Sequence, residues 1–191
     1  MKSEVKKWSA VVREGYQILL RAEAEIEELL EWEGMRAYYR SLAEKCMAWA
    51  IDVHGERLRR EFLDLEDVHE KSLFRAQKYR FLMRCVWESE SHAAILCESY
   101  LWGQRGEPKN SYHRLSHVWD LSEGTVLPTA QVLRLFGKNL RPKDLPFLPD
   151  GIYPMGEELI FFKNPTQSAP FAMEKSPLQI ACEGGGEKKT D

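Results

Sequence analysis

"KYRFLMRCVWESESHAAILCESYLW", residues 78–102, decides the class of fold, because its hydrophobic period is two. Tyr79, Phe81, Met83, Cys85 and Trp87 fall on one face of an extended segment, and Arg80, Leu82, Arg84 and Val86 on the other. After the polar link "ESESH", the alternation resumes with Ala93, Ile95, Cys97, Ser99 and Leu101. Two strands joined by so short a polar link pair as an antiparallel hairpin, expected to turn around Ser91.

Upstream the period is that of a helix. Met35, Tyr39, Leu42, Cys46, Trp49 and Val53 step by four and three, with Arg36, Arg40, Glu44 and Lys45 opposite. The spacing predicts a helix from near Gly34 that weakens at Gly55 and continues through "ERLRREF" to Phe62. Its stripe should pack on the sheet face carrying Phe81, Met83, Cys85, Ile95 and Cys97. Before it, "GYQILLRAEAEIEELL" is ambiguous. Tyr16, Ile18, Leu20 and Ala22 alternate as in a strand, while the Ala and Glu content suits a helix equally.

Downstream of the hairpin, "HRLSHVWDLSEGTVLP" (113–128) places Leu115, Trp119 and Leu121 on one face with His113 and His117. "SEG" predicts a turn in which Gly124 takes positive φ, and Pro128 opens a short helix ending at Gly137. Pro142, Pro146 and Pro149 predict an irregular loop. "GIYPMGEELIFFKN" predicts a hairpin around Pro154 to Gly156, "PLQIAC" a last strand, and "EGGGEKKTD" a disordered tail. The fold class is therefore α+β: one long helix on an antiparallel sheet, with a short helix and a C-terminal hairpin. Residues 1–14 read as an N-terminal extension, 15–182 as a single domain and 183–191 as the tail.

The chain has 191 residues, a net charge of −3 and 43% hydrophobic residues, so it is long enough to bury a core and carries no basic footprint for nucleic acid. No window reaches the ~18 apolar residues that would cross a bilayer. Arg13 and Glu14 interrupt any export signal, which sets the expectation of a bacterial cytoplasmic protein, monomer or homodimer, without membrane contact. Cys46, Cys85, Cys97 and Cys182 show no metal-ligand spacing and read as free thiols.

The order of these pieces resembles the extracellular domain of RsiV-type anti-sigma factors, a domain that also accompanies some peptidoglycan deacetylases. "EGMRAYYRSLAEKCMAWA" stands where that family enters its helix, with Tyr38 and Tyr39 in place. Trp119, Asp120, Leu121, Gly124 and Leu127 match a Trp-Asp-Leu-x-x-Gly-x-x-Leu signature, and "DGIYPMGEELIFF" matches the final hairpin. The resemblance covers about residues 15–182, and it favours a strand from Gly15 to Ile26. It departs in lacking the family's long helix before the last hairpin, the membrane anchor and the deacetylase domain. What it implies is a non-catalytic module.

Candidate chemistry is sparse. His113 and His117, four apart on a strand, lie about 13 Å apart in rise, too far to share one ion. No metal or other cofactor is expected. The "WESESH" link offers Glu88, Glu90 and His92 as an acid/base set, but a polar turn looks the same. Cys46 reads as core, and no nucleophile elbow is present. The aromatic excess (Trp87, Tyr100, Trp102, Tyr112, Trp119, Tyr153) is the feature that points to binding, against a bland reading as cross-strand pairs. Three readings follow, the third being a structural homodimer that pairs through an exposed strand edge. The first is a non-enzymatic binding or regulatory module using His113, His117, Trp119, Trp87, Trp102 or Tyr112, with a protein or small ligand unnamed. The second is a small hydrolase using His113, His117 or His92 with Glu88 or Glu90.

Overall fold

A computed structural model describes residues 3–29, 31–102, 112–136, 140, 147–164 and 178–181. Strands β1 (Ser3–Glu14), β2 (Gln17–Leu29), β3 (Gln77–Glu88), β4 (His92–Trp102), β5 (Tyr112–Asp120) and β6 (Thr125–Val126) lie in that order in one sheet. A second sheet holds β7 (Gly151–Met155), β8 (Glu158–Phe162) and β9 (Leu178–Ala181), also in order. The class is α+β with a mostly antiparallel sheet, a long helix, a short helix and a C-terminal hairpin, as expected. The chain divides into two units, Met1–Met83 with Glu98–His113, and Arg84–Cys97 with Arg114–Asp191.

In the first unit the ambiguous segment is strand β2. Leu20, Ala22, Ala24 and Ile26 are buried, and Arg21, Glu23, Glu25 and Glu27 alternate with them. Residues 3–14, read as an extension, form β1, which pairs antiparallel with β2 from Ser3↔Leu29 to Glu14↔Gln17. The register slips at Val12/Arg13, where Leu19 is the extra residue and is fully buried. On its other side β2 pairs with β3 in parallel, Leu20↔Gln77 to Ile26↔Met83, a departure from the antiparallel expectation.

Between β2 and β3 runs the helix, α1 (Glu33–Trp49), a π-helical segment (Ala50–Gly55) and α2 (Glu56–Leu63). It packs along β2. The buried row is not the expected stripe. Met35, Tyr39, Ala43 and Met47 are buried at steps of four, whereas Trp49 and Val53 are each 48% exposed. A row of fourth neighbours drifts around the helix relative to a 3.5-residue stripe, so Leu42 and Cys46 flank the contact and Trp49 leaves it. The model in which Trp49 anchors the core is overturned. Gly55 then brings the π segment against β1, where an added Cβ would lie 3.0 Å from Val12 Cγ2. The acidic link after the helix contains α3 (Val68–Leu73), capped by Asp67 accepting from His69 N–H at 2.8 Å.

Glu28, 1% exposed, faces Arg40 of α1, whose Nε and Nη2 donate to both carboxylate oxygens. The side-chain bond from Arg40 holds the Glu28 carboxyl below its ordinary range against the opposing effect of desolvation.

In the second unit, Ala94, Val118, Val132, Leu133, Ile152, Leu159 and Phe161 form the core, with Val86, Trp87, Leu127 and Phe136 against it. The β3–β4 link closes between Ser89 N–H and His92 O at 2.8 Å, rather than around Ser91. The expected face of β5 is corrected as well. Leu115 is 38% exposed, and the interior row is Arg114, Ser116 and Val118. Polar residues can occupy that row because the β7–β8 region answers them. Ser116 Oγ donates to Ile152 O at 2.8 Å, and the Arg114 guanidinium lies 4.8 Å from the Phe162 ring centroid. The Asn164 amide meets Arg114 N–H at 2.7 Å and Arg114 O at 2.9 Å.

The turn after β5 forms as expected. Asp120 Oδ1 accepts from Ser122 N–H, Ser122 Oγ and Glu123 N–H, and Gly124 takes φ +66. Pro128 caps α4 (Thr129–Leu135). The predicted hairpin is β7–β8, turning at Gly156 with φ +61, and β9 pairs with β8. Gly137, Pro142, Pro146, Cys182 and the tail lie outside the described residues.

Two stability outcomes follow. An added Cβ at Gly151 would sit 2.4 Å from Phe162 Cζ and 2.8 Å from Ser116 Oγ, and Phe162 is 1% exposed. Gly151→Ala is therefore expected to cost about 1–3 kcal/mol by overpacking, read by denaturant melts; an unchanged midpoint would contradict this packing. Arg40→Ala leaves the Glu28 carboxylate buried without its partner. Because the folded pKa of Glu28 is depressed, the stability from the pair is present above the unfolded value and lost as pH falls through the folded one. The melting-temperature gap between wild type and Arg40→Ala should be large at neutral pH and shrink at about pH 3.5.

Candidate functional site

The residues singled out from the sequence separate into four places. His113 is exposed on β5, in the first unit. His117, in the second, is half-buried with its ring at right angles to Trp119, centroids 6.5 Å apart, and burial lowers its pKa. Trp119 is 9% exposed and pairs through its backbone with Val126 of β6, and Trp87 packs edge-on against Phe136 at 5.1 Å. Tyr153 lies 6.0 Å from Phe162. Trp119 and Tyr153 are buried in the second unit, and Trp87 packs partly buried against its core. The turn set does not converge: Glu88 and Glu90 are exposed, and His92 Nδ1 pairs with Ser91 Oγ at 2.8 Å. Among the described residues, no group of three or more His, Cys, Asp or Glu side chains is placed to hold a metal ion.

Trp102 and Tyr112, by contrast, come together with Tyr100. Tyr100 is the middle ring of a stack, 5.5 Å from Trp102 with 7° between planes and 4.7 Å from Tyr112 with 25° between planes. Alternation along β4 explains their common face. The Ser99 hydroxyl bonds to Tyr79, whose face of β3 is buried, so Glu98, Tyr100 and Trp102 point to the opposite side. Tyr112 reaches them from β5 and donates its hydroxyl to Glu98 Oε1 at 2.6 Å. Glu98 is 6% exposed and Trp102 40%, so a buried carboxylate lies at one end of the stack and an open indole at the other.

A second constellation escaped the sequence reading. The Tyr79 hydroxyl interacts with both the Cys46 thiol and the Ser99 hydroxyl. Trp49 stands edge-on to His54 at 4.7 Å and lies 6.4 Å from Tyr79. The π turn makes this possible, because hydrogen bonds reaching five residues back bring positions 49 and 54 to one side. Its electrostatics keep each group in its neutral form. Burial pushes the Tyr79 phenol well up, with Cys46 adding to the rise. Burial pushes the Cys46 thiol up too, against the bond from Tyr79, and it lowers His54 with help from Arg57. All three groups are neutral at physiological pH, and a protonated thiol is a poor nucleophile. His54 Nε2 is buried without a hydrogen-bond partner among the described residues. No sequence signal pointed here, since Cys46 and Trp49 read as members of an apolar stripe.

Comparison with protein-family models and with curated proteins finds no match. Among solved structures, the chain is similar to a DUF3298 family protein from Pseudomonas aeruginosa PAO1, with 10% identity, TM-score 0.49, and coverage of 95% of this chain and 88% of that one. It is also similar to a member of the same family from Bacteroides fragilis NCTC 9343, with 11% identity, TM-score 0.48, and coverage of 94% and 88%. DUF3298 is the RsiV-type domain. At these scores no property of either protein transfers to this chain.

The neutral cluster has a pH signature. A histidine whose folded pKa is depressed supports the native state fully above its unfolded value, about 6.5, and that support is lost as pH falls below it. The melting temperature should therefore drop from pH 7 to about pH 5, and His54→Leu should reduce that drop, with His117 supplying part of the remainder. An identical pH dependence in wild type and variant would show that His54 titrates as freely as in the unfolded chain.

Proposed function

We propose that this protein is a binding or regulatory module of the RsiV-type sensor kind, without a catalytic site of its own. The observation that carries the proposal is the stack of Trp102, Tyr100 and Tyr112 on the face of β4 and β5 opposite Tyr79. Trp102 ends the stack with 40% of its surface exposed, an arrangement that offers a flat apolar surface to a ring or side chain of a ligand. The Glu98–Tyr112 bond fixes the other end, so the rings are held in place before a ligand arrives. The hydrolase alternative draws no support from its own residues. His92 sits in a polar turn, and His113 and His117 face different surroundings.

The test is a calorimetric titration of wild type and Trp102→Ala with a panel of soluble oligosaccharides and aromatic-bearing peptides. At least one class should bind wild type and bind the variant more than tenfold more weakly, with the melting temperature of the variant within a few degrees of wild type. Binding indifferent to Trp102, or turnover of a panel member, would overturn the proposal.

A further inference from the structure

We infer that β1 is a self-association edge, and that a second copy of this chain pairs with it antiparallel about a two-fold axis at Trp8. The sheet ends at β1 on one side and at the two-residue β6 on the other, so β1 is its one long edge among the described residues. Twelve residues of strand with one side unpaired form a template for another strand, and proteins normally obstruct such an edge with proline, bulges or charge. Over Ser3–Val12 the register with β2 is continuous, and β1 contains no proline. Val5 is 52% exposed and Val11 44%, both on the face that carries Lys7 and Ser9, away from the buried Val12. These are β-branched residues that gain from a cross-strand neighbour.

The two valines and the charges together select one register, because only an axis at Trp8 sets Val5 against Val11. Directly opposed residues of an antiparallel pair lie on the same face, so a symmetric pairing joins residues whose numbers have the same parity. With Trp8 on the axis, Val5 meets Val11 of the second copy and Val11 meets its Val5. Lys6 then meets Ala10, Lys7 meets Ser9, Glu4 meets Val12 and Ser3 meets Arg13, so no like charges are opposed. Moving the axis one residue toward the N-terminus opposes Lys7 to Lys7. Moving it one residue toward the C-terminus opposes Glu4 to Glu14, and two residues opposes Lys7 to Arg13. The lysines that would obstruct the edge are also answered within the chain, Lys6 by Glu4 at 2.7 Å and Lys7 by Glu25 at 3.2 Å. Only the Trp8 axis covers both exposed valines with each other, and it does so without like-charge opposition.

Sedimentation velocity on the full chain over a rising concentration series tests the pairing, with melts to confirm folding. Wild type should shift from monomer to dimer, and Val5→Lys with Val11→Lys should remain monomeric, since both sites are exposed and the fold is kept. The register is read by oxidation. Opposed Cα atoms in such a pair are about 4.5–5.5 Å apart, within disulfide reach. Val5→Cys combined with Val11→Cys should form an interchain disulfide dimer, and either substitution alone should not. A wild type that stays monomeric throughout overturns the inference, as does a dimer that survives the lysine pair. Single-cysteine variants that cross-link as readily as the double variant would overturn the Trp8 axis.

Discussion

The parallel pairing of β2 with β3 is the constraint from which the first unit follows. Parallel neighbours cannot be joined by a tight turn, because the chain leaving one strand must travel back along its whole length before the next begins. Strand β2 has 13 residues and spans about 43 Å. The return is made by a helix of 31 residues, which at 1.5 Å per residue covers about 46 Å. Helix length is thus matched to strand length, and the helix lies along the strand it must return past. Ala22 and Ala24 on the covered face of β2 keep the layers close, and Gly55 does the same where the helix passes β1. The Glu28–Arg40 pair fastens the end of β2 to the first half of α1.

Elements whose partners lie nearby in sequence were legible. The β7–β8 hairpin, the Gly124 turn and the α4 start each rest on local backbone chemistry, which a sequence displays directly. Strand β2 was legible only with help from family resemblance, since Ala and Glu at alternate positions satisfy both periods. What could not be read depends on distant neighbours. The interior row of β5 carries Arg114 and Ser116, and nothing near them in sequence reveals that Ile152, Phe162 and Asn164 will satisfy them. The buried row of α1 was misplaced because a heptad stripe and a row of fourth neighbours share Met35 and Tyr39, then separate.

The same distinction governs the candidate sites. Aromatic excess was visible, but the sequence treated six rings alike. Two of them prove to be buried and Trp87 packs partly buried against a core, while Tyr100, Trp102 and Tyr112 stack because β4 and β5 bring positions 100 and 112 into contact. The Cys46–Tyr79–Ser99 interactions join a helix to two strands and have no motif at all. Histidines drew attention by residue type, yet His54, whose place depends on an irregularity of the helix, was not among those singled out.

That irregularity has a consequence for how this chain tolerates changes of length. A π segment accommodates a surplus residue without displacing the phase of the α-helical turns on either side. Met47 before it and Leu58 after it both remain buried. The helix therefore carries a slack position between Ala50 and Gly55, where removing one residue returns the backbone to regular α geometry and leaves both flanking rows in place. Anywhere else along α1 the same deletion rotates every later residue by about 100° and carries the buried row into solvent. Variation in helix length among chains of this architecture is expected to collect at that one turn, and a deletion series through the helix, read by melting temperature, would display the asymmetry.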